Sequence, residues 1–474
     1  MTGAGTRVAV LGAGLAGLSA AHALLVARPD LEVRVYEGSG EVGGKLRTGQ
    51  VAGIDVDLGA ESMLSRRPEG LDLATAVGLR ADVVTPATSQ AGVWTRGVVR
   101  TLPPTLMGIP SDLAALARTG ILSSAGLGRA SLERRLPPPD LSDDIGVGEL
   151  VARRLGRDVR DRLVEPLLGG VYAGRADDIS MHAALPQVVQ AINTYGGLLN
   201  AARATRAQSA GRSVETSPVF SGIRGGMARL AQQTAREVER RGAVIHRNSM
   251  VREIRRTPAG WQLVIGSTTE SRLVECDAVI VATPAAATAR LLREVAPVAA
   301  RELGRIDYAS IALVTLAMRA AEVNVPDDRS GFLVPPLDGK IIKAATFSSS
   351  KWLWLRGDIM IVRCSIGRYG DEVDLQRDDA ELVDAAAMDL REAVGLQAPL
   401  VDAVVTRWGG GLPQYAVGHL GRVRQIEQSV AATPGLAVCG AALRGVGISA
   451  VIASGQAAAT RVLKTLEAVE TMES

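Results

Sequence analysis

The sequence predicts an α/β fold in which a sheet of parallel strands is interrupted twice by other regions. An apolar strand, a glycine turn and a helix follow one another between Arg7 and Ala27, and the same order returns from Leu436 into a C-terminal alanine-rich helix. Between these ends, proline-punctuated helical segments give way to strand-like runs. The predicted architecture is therefore a discontinuous Rossmann-like domain with a mostly helical domain and an α+β domain inserted into it.

The first unit carries a dinucleotide-binding fingerprint. Apolar residues 7–11 predict a buried strand, and glycines at positions 12, 14 and 17 follow it without a gap. The first glycine permits a tight turn, the second lets the backbone approach a pyrophosphate, and the third lets the helix pack against the strand. A second strand, 31–36, ends at Glu37, where a carboxylate suits two ribose hydroxyls and repels a 2′-phosphate.

Two simpler interpretations compete with this fingerprint. Glycine triplets arise by chance in a chain with 52 glycines. Residues 8–27 also carry no formal charge and follow Arg7, as a signal peptide or a membrane span would. The three glycine offsets and the acidic end of the second strand favour the nucleotide-binding interpretation.

Composition excludes several classes of function. The 474 residues carry a formal net charge of +3, which gives no basic footprint for nucleic acid. Cys276, Cys364 and Cys439 are too few for a disulfide framework and too far apart for a metal site, and the four histidines form no zinc motif. We expect a cytoplasmic protein with reduced cysteines and no metal.

Two further glycine segments follow the first unit. Gly43 and Gly44 would let the backbone lie against a second part of the same ligand, and Arg47 would meet a phosphate or a ring oxygen. An ordinary turn with a solvated arginine is the simpler interpretation of this segment alone. Residues 55–62 predict a strand that ends in another turn at Gly59.

The remaining chain divides into blocks of different character. Residues 1–85, 216–296 and 416–474 are predicted to form the nucleotide-binding domain. Residues 86–215 are predicted to be mostly helical, and residues 297–415 to form an α+β substrate-binding domain. Within the helical domain, segments 103–127 are candidates for a membrane-facing surface, with a lid as the alternative, and 165–174 is predicted to be a helix end followed by a glycine turn.

At this point the motifs resemble a known family. The fingerprint and Gly43-Gly44-x-x-Arg47 are typical of the amine-oxidase-like flavoproteins. Four further segments, 169–174, 342–349, 413–419 and 439–455, resemble the FAD-dependent protoporphyrinogen/coproporphyrinogen oxidases of Gram-positive bacteria, and the resemblance covers nearly the whole chain.

The resemblance implies particular site residues. Gly170 matches the glycine that faces the substrate macrocycle, Val251 would meet adenine through its backbone, and the turn around Ile448 would lie beside the flavin. The implied contacts with FAD are Gly12, Ala13, Gly14, Leu15, Ala16, Gly17, Glu37, Gly44, Lys45, Leu46, Arg47, Gly59, Ala60, Glu61, Ser62, Val251, Trp408, Gly440, Gly447, Ile448 and Ser449.

The sequence departs from the family at one point. Mitochondrial members carry an arginine near the strand 93–94 that pairs with a substrate propionate, whereas this chain has Ala91 and other neutral residues there. The candidates for that role are four cations, each of which is also readable as an ordinary surface or strand-flanking residue: Lys343, Arg363, Arg368 and Arg444. Coproporphyrinogen III, with four propionates, is the preferred substrate on this reasoning, and protoporphyrinogen IX is the alternative.

The implied activity is a six-electron oxidation in which the flavin supplies the redox chemistry. No second fingerprint for NAD(P)H is found, so O2 is the expected acceptor and H2O2 the product. No Cys or His lies in the turn 445–449, which predicts non-covalent FAD. A flavin amine oxidase and a non-catalytic flavoprotein remain as rivals. The expected partners are the porphyrinogen, O2 and a downstream chelatase, with peripheral membrane contact and oligomeric state left open.

Overall fold

The computed structural model describes residues 5–211, 219–325 and 328–473. The strands are β1 Arg7–Leu11, β2 Glu32–Tyr36, β3 Thr48–Val51, β4 Ile54–Asp57, β5 Met63–Leu64, β6 Val83–Val84, β7 Ala91–Thr95, β8 Val98–Thr101, β9 Thr105–Leu106, β10 Ile109–Pro110, β11 Phe220–Ile223, β12 Val244–His246, β13 Val251–Thr257, β14 Gly260–Gly266, β15 Ser271–Cys276, β16 Ala278–Val281, β17 Tyr308–Arg319, β18 Gly331–Leu333, β19 Ile342–Phe347, β20 Ile359–Ile366, β21 Leu400–Pro413 and β22 Leu436–Val438. The helices are α1 Leu15–Ala27, α2 Pro68–Ala76, α3 Leu113–Thr119, α4 Ser124–Ser131, α5 Val147–Leu155, α6 Arg157–Val159, α7 Glu165–Tyr172, α8 Met181–Ala184, α9 Pro186–Tyr195, α10 Leu198–Gly211, α11 Ala228–Arg240, α12 Ala285–Leu291, α13 Pro297–Leu303, α14 Ser348–Lys351, α15 Asp379–Val394, α16 His419–Ala431 and α17 Ile448–Glu473.

A five-stranded parallel sheet organises the nucleotide-binding part of the chain. Its order is β12-β2-β1-β16-β22, so the first strand lies at the centre between one neighbour from the next unit and one from far along the chain. The apolar residues of α1 pack with those of α17 and α11 into one core cluster over this sheet. The predicted β1 and α1 are confirmed at the predicted bounds, and so is the α/β class.

A seven-stranded sheet forms the second layer around the site. Its order is β21-β17-β20-β19-β18-β7-β8, and every pair is antiparallel except β18 with β7. The sheet shares a core cluster with α15, which begins at a capping box on Asp378. The sequence predicts strand-like runs at 311–318, 340–347 and 359–366 and a helix from about 378 to 394. These are confirmed as β17, β19, β20 and α15.

Strands β7 and β8 correct one predicted boundary. Residues 91–101 were predicted to belong to the mostly helical domain 86–215, but β7 pairs with β18, with Ala91 opposite Gly331. The hairpin of β7 and β8 has a local signal, because a two-residue turn at Arg96 and Gly97 joins two runs rich in Val and Thr. Its pairing with the distant β18 has no such local signal. The other end of that domain, at 215/216, lies outside the described residues.

The helical part of the chain contains a second correction. The sequence predicts a helix end followed by a glycine turn over residues 165–174, but the chain stays helical from Arg157 to Tyr172. Residues 160–164 form a widened π turn just before the proline. A proline removes one backbone donor and crowds the preceding turn, and the wider turn relieves both problems. Buried Leu163 and Leu168 then hold the stretch in the helical core.

The segment 103–127 forms a short hairpin and two short helices, and its apolar residues Leu116, Ile121 and Leu122 point into the helical core. In the described part of the chain, we find no helix with the length and apolar character needed to cross a bilayer.

Candidate functional site

The carboxyl ends of the parallel strands open into one cavity of about 1200 Å³. The residues that follow β1, β2, β16 and β22 line it, namely Gly12, Glu37, Ala282 and Gly440. Its other wall comes from β17, β19, β20 and β21 of the seven-stranded sheet. Open parallel sheets bind ligands at this edge because their loops converge there.

The first glycine turn is held to the end of β2. The Gly12 N–H donates to the Tyr36 carbonyl (2.8 Å), and the Ala13 N–H donates to Oε2 of Glu37 (2.8 Å). The second carboxylate oxygen of Glu37 accepts from the Ser39 N–H (2.9 Å). Each oxygen of this cavity-lining carboxylate keeps a lone pair for a further donor, so the side chain is oriented for hydroxyl groups.

The two glycine turns touch each other. The Gly43 N–H donates to the Ala13 carbonyl (2.8 Å), and a Cβ on Gly44 would stand 3.2 Å from the Cα of Gly14. A side chain on Gly44 would therefore press against the first turn. Together with the N-terminus of α1, the two turns form a cradle of backbone N–H groups suited to a phosphate.

A tyrosine and a histidine hold the closing turn, residues 440–447. The Tyr415 hydroxyl donates to the Ala441 carbonyl (2.7 Å) and accepts from the Gly445 N–H (2.6 Å). The ring of His419 stacks on Tyr415 with centroids 3.9 Å apart, and its Nε2 donates to the Leu443 carbonyl (2.8 Å). Burial lowers the pKa of His419 to about 4, so the ring is neutral at physiological pH. This turn leads into α17, whose N-terminus also borders the cavity.

An ion triad joins the nucleotide-binding part to the seven-stranded sheet. The Glu61 carboxylate accepts from Lys351 and from Nη1 of Arg363 (2.7 Å), while Nη2 of Arg363 donates to the Gly59 carbonyl (2.6 Å). Burial raises the pKa of Glu61, but the charges of the two cations outweigh burial and bring the pKa down to about 2. The carboxylate is thus held ionised, which excludes it as a proton donor at neutral pH.

Two lysines reach the cavity from opposite parts of the fold. The Lys45 ammonium donates to the Gly411 carbonyl and lies 5.5 Å from the ring centroid of Tyr308, and burial lowers its pKa to about 8. Lys343, on β19, is 5% exposed, and its Nζ has no hydrogen-bond partner among the described residues. Burial and the nearby charge of Arg368 lower the pKa of Lys343 to about 7.

Gly170 lies where the helical stretch meets the second sheet. It lines the cavity, and a Cβ built on it would meet only Cδ2 of Leu333, at an ordinary contact distance of 3.5 Å. The protein itself therefore does not require a glycine here. A side chain would instead occupy cavity space beside Leu333 and Lys343.

Most of the candidate residues border this one cavity. Those that line it are Gly12, Gly14, Leu15, Ala16, Glu37, Gly44, Lys45, Leu46, Gly59, Ala60, Glu61, Gly170, Val251, Lys343, Arg363, Trp408, Gly440, Gly447 and Ile448. Their individual roles stay predictions, because lining a cavity does not by itself identify a contact with a ligand.

Seven candidate residues do not line the cavity: Ala13, Gly17, Arg47, Ser62, Arg368, Arg444 and Ser449. Arg47 pairs with Glu41 at the surface (3.1 Å), and Arg444 pairs with Glu427 (2.6 Å) with half of its side chain exposed. Arg368 donates to the Val334 carbonyl (3.1 Å) next to the cavity wall. Arg444 therefore does not line the cavity, and its role in substrate binding stays a prediction.

Several lining residues carried no signal that sequence reasoning used. Tyr308 accepts the Ala285 N–H at its hydroxyl (3.0 Å) and presents its ring to the cavity, while Thr283 and Pro284 follow the end of β16. Thr283 and Pro284 could have been predicted, because they come just after a parallel strand, where ligand-binding loops lie. Tyr308 starts a long strand, and only the fold brings it to the site.

These features fit FAD, the cofactor that the sequence predicts. The glycine cradle suits a pyrophosphate, and Glu37 suits a ribose. The N-termini of two helices, α1 and α17, border the cavity and favour electron-rich oxygens there. Trp408 is fixed at the wall because its indole N–H donates to the Leu58 carbonyl (2.8 Å).

Comparison with known proteins agrees with this fit. The sequence pattern of the flavin containing amine oxidoreductases matches residues 15–463. A coproporphyrinogen III oxidase of Mycobacterium leprae is 34% identical over 463 residues, which cover 97% of this chain and 98% of that protein. A coproporphyrinogen III oxidase of Bacillus subtilis is 28% identical, with 97% and 98% covered.

The fold is similar to that of a candidate protoporphyrinogen oxidase from Exiguobacterium sp. 255-15, whose crystal structure superposes with a TM-score of 0.84 at 27% identity, covering 98% of this chain and 99% of that one. Family pattern and relatives both extend over almost the whole length. The chain therefore belongs to the flavin-containing amine oxidoreductase family, with FAD as its cofactor.

Proposed function

We propose that this protein oxidises coproporphyrinogen III to coproporphyrin III, with FAD as cofactor and O2 as electron acceptor. The observation that carries the proposal is the full-length similarity to coproporphyrinogen III oxidases from several bacterial genera, at 28–35% identity. The reaction removes six electrons and six protons from the macrocycle. Three O2 are reduced to three H2O2 in balance.

The cavity supports this class of substrate. Pockets for drug-sized ligands occupy about 300–1,000 Å³, and this cavity of about 1200 Å³ leaves room for a cofactor and part of a large flat ring. The wall beside Gly170 is formed by apolar Leu333 and Ala344, with Lys343 among them. An apolar face with one cation suits a macrocycle whose rim carries carboxylates.

The residues of the chain would bind and orient the substrate and exclude water from it. Bound FAD accepts two electrons at a time from an organic substrate. We assign the glycine cradle and Glu37 to the cofactor, and the wall around Gly170 to the macrocycle. Glu61 stays ionised in its triad, so its role in this proposal is to hold Arg363 at the cavity wall and to pair with Lys351 behind it.

Two related activities are alternatives. Protoporphyrinogen oxidase is favoured by the name of one relative, from Bos taurus, at 29% identity. Oxidation of an amine is favoured by the family pattern. Against an amine, the closing segment 443–450 carries no aromatic side chain with which to sandwich one.

Anaerobic reduction of the bound flavin tests these alternatives. The holoprotein is mixed with coproporphyrinogen III, protoporphyrinogen IX or a primary amine, and the loss of flavin absorbance is followed. We expect reduction by both porphyrinogens, fastest with coproporphyrinogen, and none by the amine. In air, three O2 should disappear for each porphyrinogen oxidised. Reduction by the amine alone would overturn the proposal, and no reduction by any of the three would leave a non-catalytic flavoprotein.

The same proposal implies a metal chelatase as the consumer of the porphyrin. We also propose transient contact with such a partner and contact with a membrane surface. Direct binding measurements with a chelatase and with lipid vesicles test these two proposals.

A further inference from the structure

The cations in and beside the cavity differ in how their charge is compensated. We call the part of the cavity wall formed by Gly170, Leu333, Lys343 and Ala344 the substrate wall. Arg363 and Lys351 share the Glu61 carboxylate, Lys45 donates to a carbonyl, and Arg368 donates to the Val334 carbonyl. Lys343 is buried, lines the cavity, and lacks an acceptor for its Nζ within the described residues. An isolated ammonium in such a place is costly unless an anion or a hydrogen-bond acceptor meets it.

Among the residues that the structure describes, no acidic side chain accepts a hydrogen bond from Lys343. On α7, Glu165 accepts from the Ala176 N–H (2.8 Å), and on α15, Asp389 accepts from the N–H groups of Ile341 (2.9 Å) and Ile342. Among the described residues, the one charged side chain that shifts the pKa of Lys343 is Arg368. Its positive charge lowers that pKa further, in addition to burial.

The position of Lys343 indicates which ligand group it would meet. Val334 of the β18 end donates its N–H to the Lys343 carbonyl (2.9 Å), and the neighbouring Leu333 contacts the site of Gly170. The glycine cradle and Glu37 belong to the other sheet. Lys343 thus stands on the substrate wall and not among the residues that fit the phosphates of FAD.

We propose that Lys343 binds one carboxylate of the substrate inside the cavity and is a specificity-determining residue for acidic porphyrinogens. This inference rests on the proposed function. A carboxylate that replaces the missing acceptor forms a charge-assisted hydrogen bond in a water-poor site. The ion pair would also favour the protonated lysine, so that binding takes up protons from solution above pH 7.

Binding of porphyrins to the holoprotein tests this proposal. Coproporphyrin III and etioporphyrin, which has no carboxylate, are titrated in the same detergent buffer, and quenching of protein fluorescence gives the Kd. We expect Lys343→Met to weaken coproporphyrin binding by about 10- to 100-fold and to leave etioporphyrin unchanged. Lys343→Arg, which retains a cation, should keep most of the difference between the two ligands.

The matched control is Lys340→Met, three residues earlier, where the lysine pairs with Glu392 outside the cavity. It should bind both porphyrins as the wild type does. A purely structural role for Lys343 predicts a lower Tm for Lys343→Met, whereas removal of an uncompensated buried charge should leave the Tm unchanged or raise it.

Proton uptake gives an independent measurement. Coproporphyrin binding in weakly buffered solution at pH 7.5 should take up protons with the wild type and not with Lys343→Met. Equal coproporphyrin affinity and equal proton uptake in the two proteins would overturn the inference about Lys343. If the wild type neither binds coproporphyrin nor is reduced by its porphyrinogen, the proposed function itself fails.

Discussion

Removal of the Glu61 carboxylate should destabilise the protein more than removal of any surface carboxylate. Glu61→Ala leaves Lys351 and Arg363 facing each other at a site where their side chains are 14% and 8% exposed. Taking away one partner of a buried ion pair costs about 3–5 kcal/mol, because the remaining charge stays desolvated.

The pKa of Glu61 supports the same magnitude. A carboxyl group with an ordinary pKa of 4.5 whose folded-state pKa is about 2 contributes about 3 kcal/mol, at about 1.4 kcal/mol for each pKa step of one. Because the folded-state pKa is lowered, this contribution is fully present above pH 4.5. It is lost progressively as the pH falls from 4.5 towards 2.

Thermal unfolding with saturating FAD measures the effect. An unfolding entropy of about 2.1 cal/mol/K per residue gives about 1 kcal/mol/K for a chain of 474 residues, so the expected fall in Tm at pH 7 is about 3–5 °C. The control is Glu427→Ala, which breaks the exposed pair with Arg444 and should change the Tm by about 1 °C or less. Equal shifts in the two variants, or a difference that does not shrink below pH 4.5, would refute the reasoning.

Three further predictions concern residues that line the cavity or hold its turns in place. Gly17→Ala places a Cβ 2.0 Å from the Gly12 carbonyl oxygen, so α1 must leave the turn, and we expect the purified protein to contain little FAD, measured as the ratio of flavin to protein absorbance. Gly170→Val should lower kcat/KM for coproporphyrinogen by about 10-fold or more while the Tm stays within about 1 °C, since only cavity space is filled; normal turnover would move the substrate elsewhere. Tyr415→Phe removes both hydrogen bonds that hold the turn at Gly445, and FAD should bind about 10-fold more weakly in a fluorescence titration; an unchanged Kd would show that the turn is held by other contacts.

The first unit could be predicted because its information is local. The glycine offsets, the apolar strand and the acidic residue at position 37 lie within thirty-one residues, and each constrains the same strand, turn and helix. Cys276, Cys364 and Cys439 are all buried and free.

Features that depend on distant partners could not be predicted. The pairing of β7 with β18 joins residues 91 and 331, and the sequence near residue 91 does not indicate this distant partner. The helix through Pro166 and Gly170 is maintained by core packing that overrides two unfavourable local propensities. The lone ammonium of Lys343 is a property of its surroundings, so a scan of charged residues could not separate it from paired Arg444.

The strand order of the parallel sheet determines when each strand can find its neighbour during translation. β1 and β2 emerge early, yet β16, the other neighbour of β1, begins at Ala278, and β22 completes the sheet only at Leu436. At about 5–20 residues per second, a ribosome needs roughly 15–50 s to pass from β1 to β16. Throughout that interval one edge of an apolar strand stays unpaired and open to other chains. We expect this open edge to favour aggregation of nascent chains, and a chain that ends before Leu436 should keep the edge of β16 open to pairing with other chains.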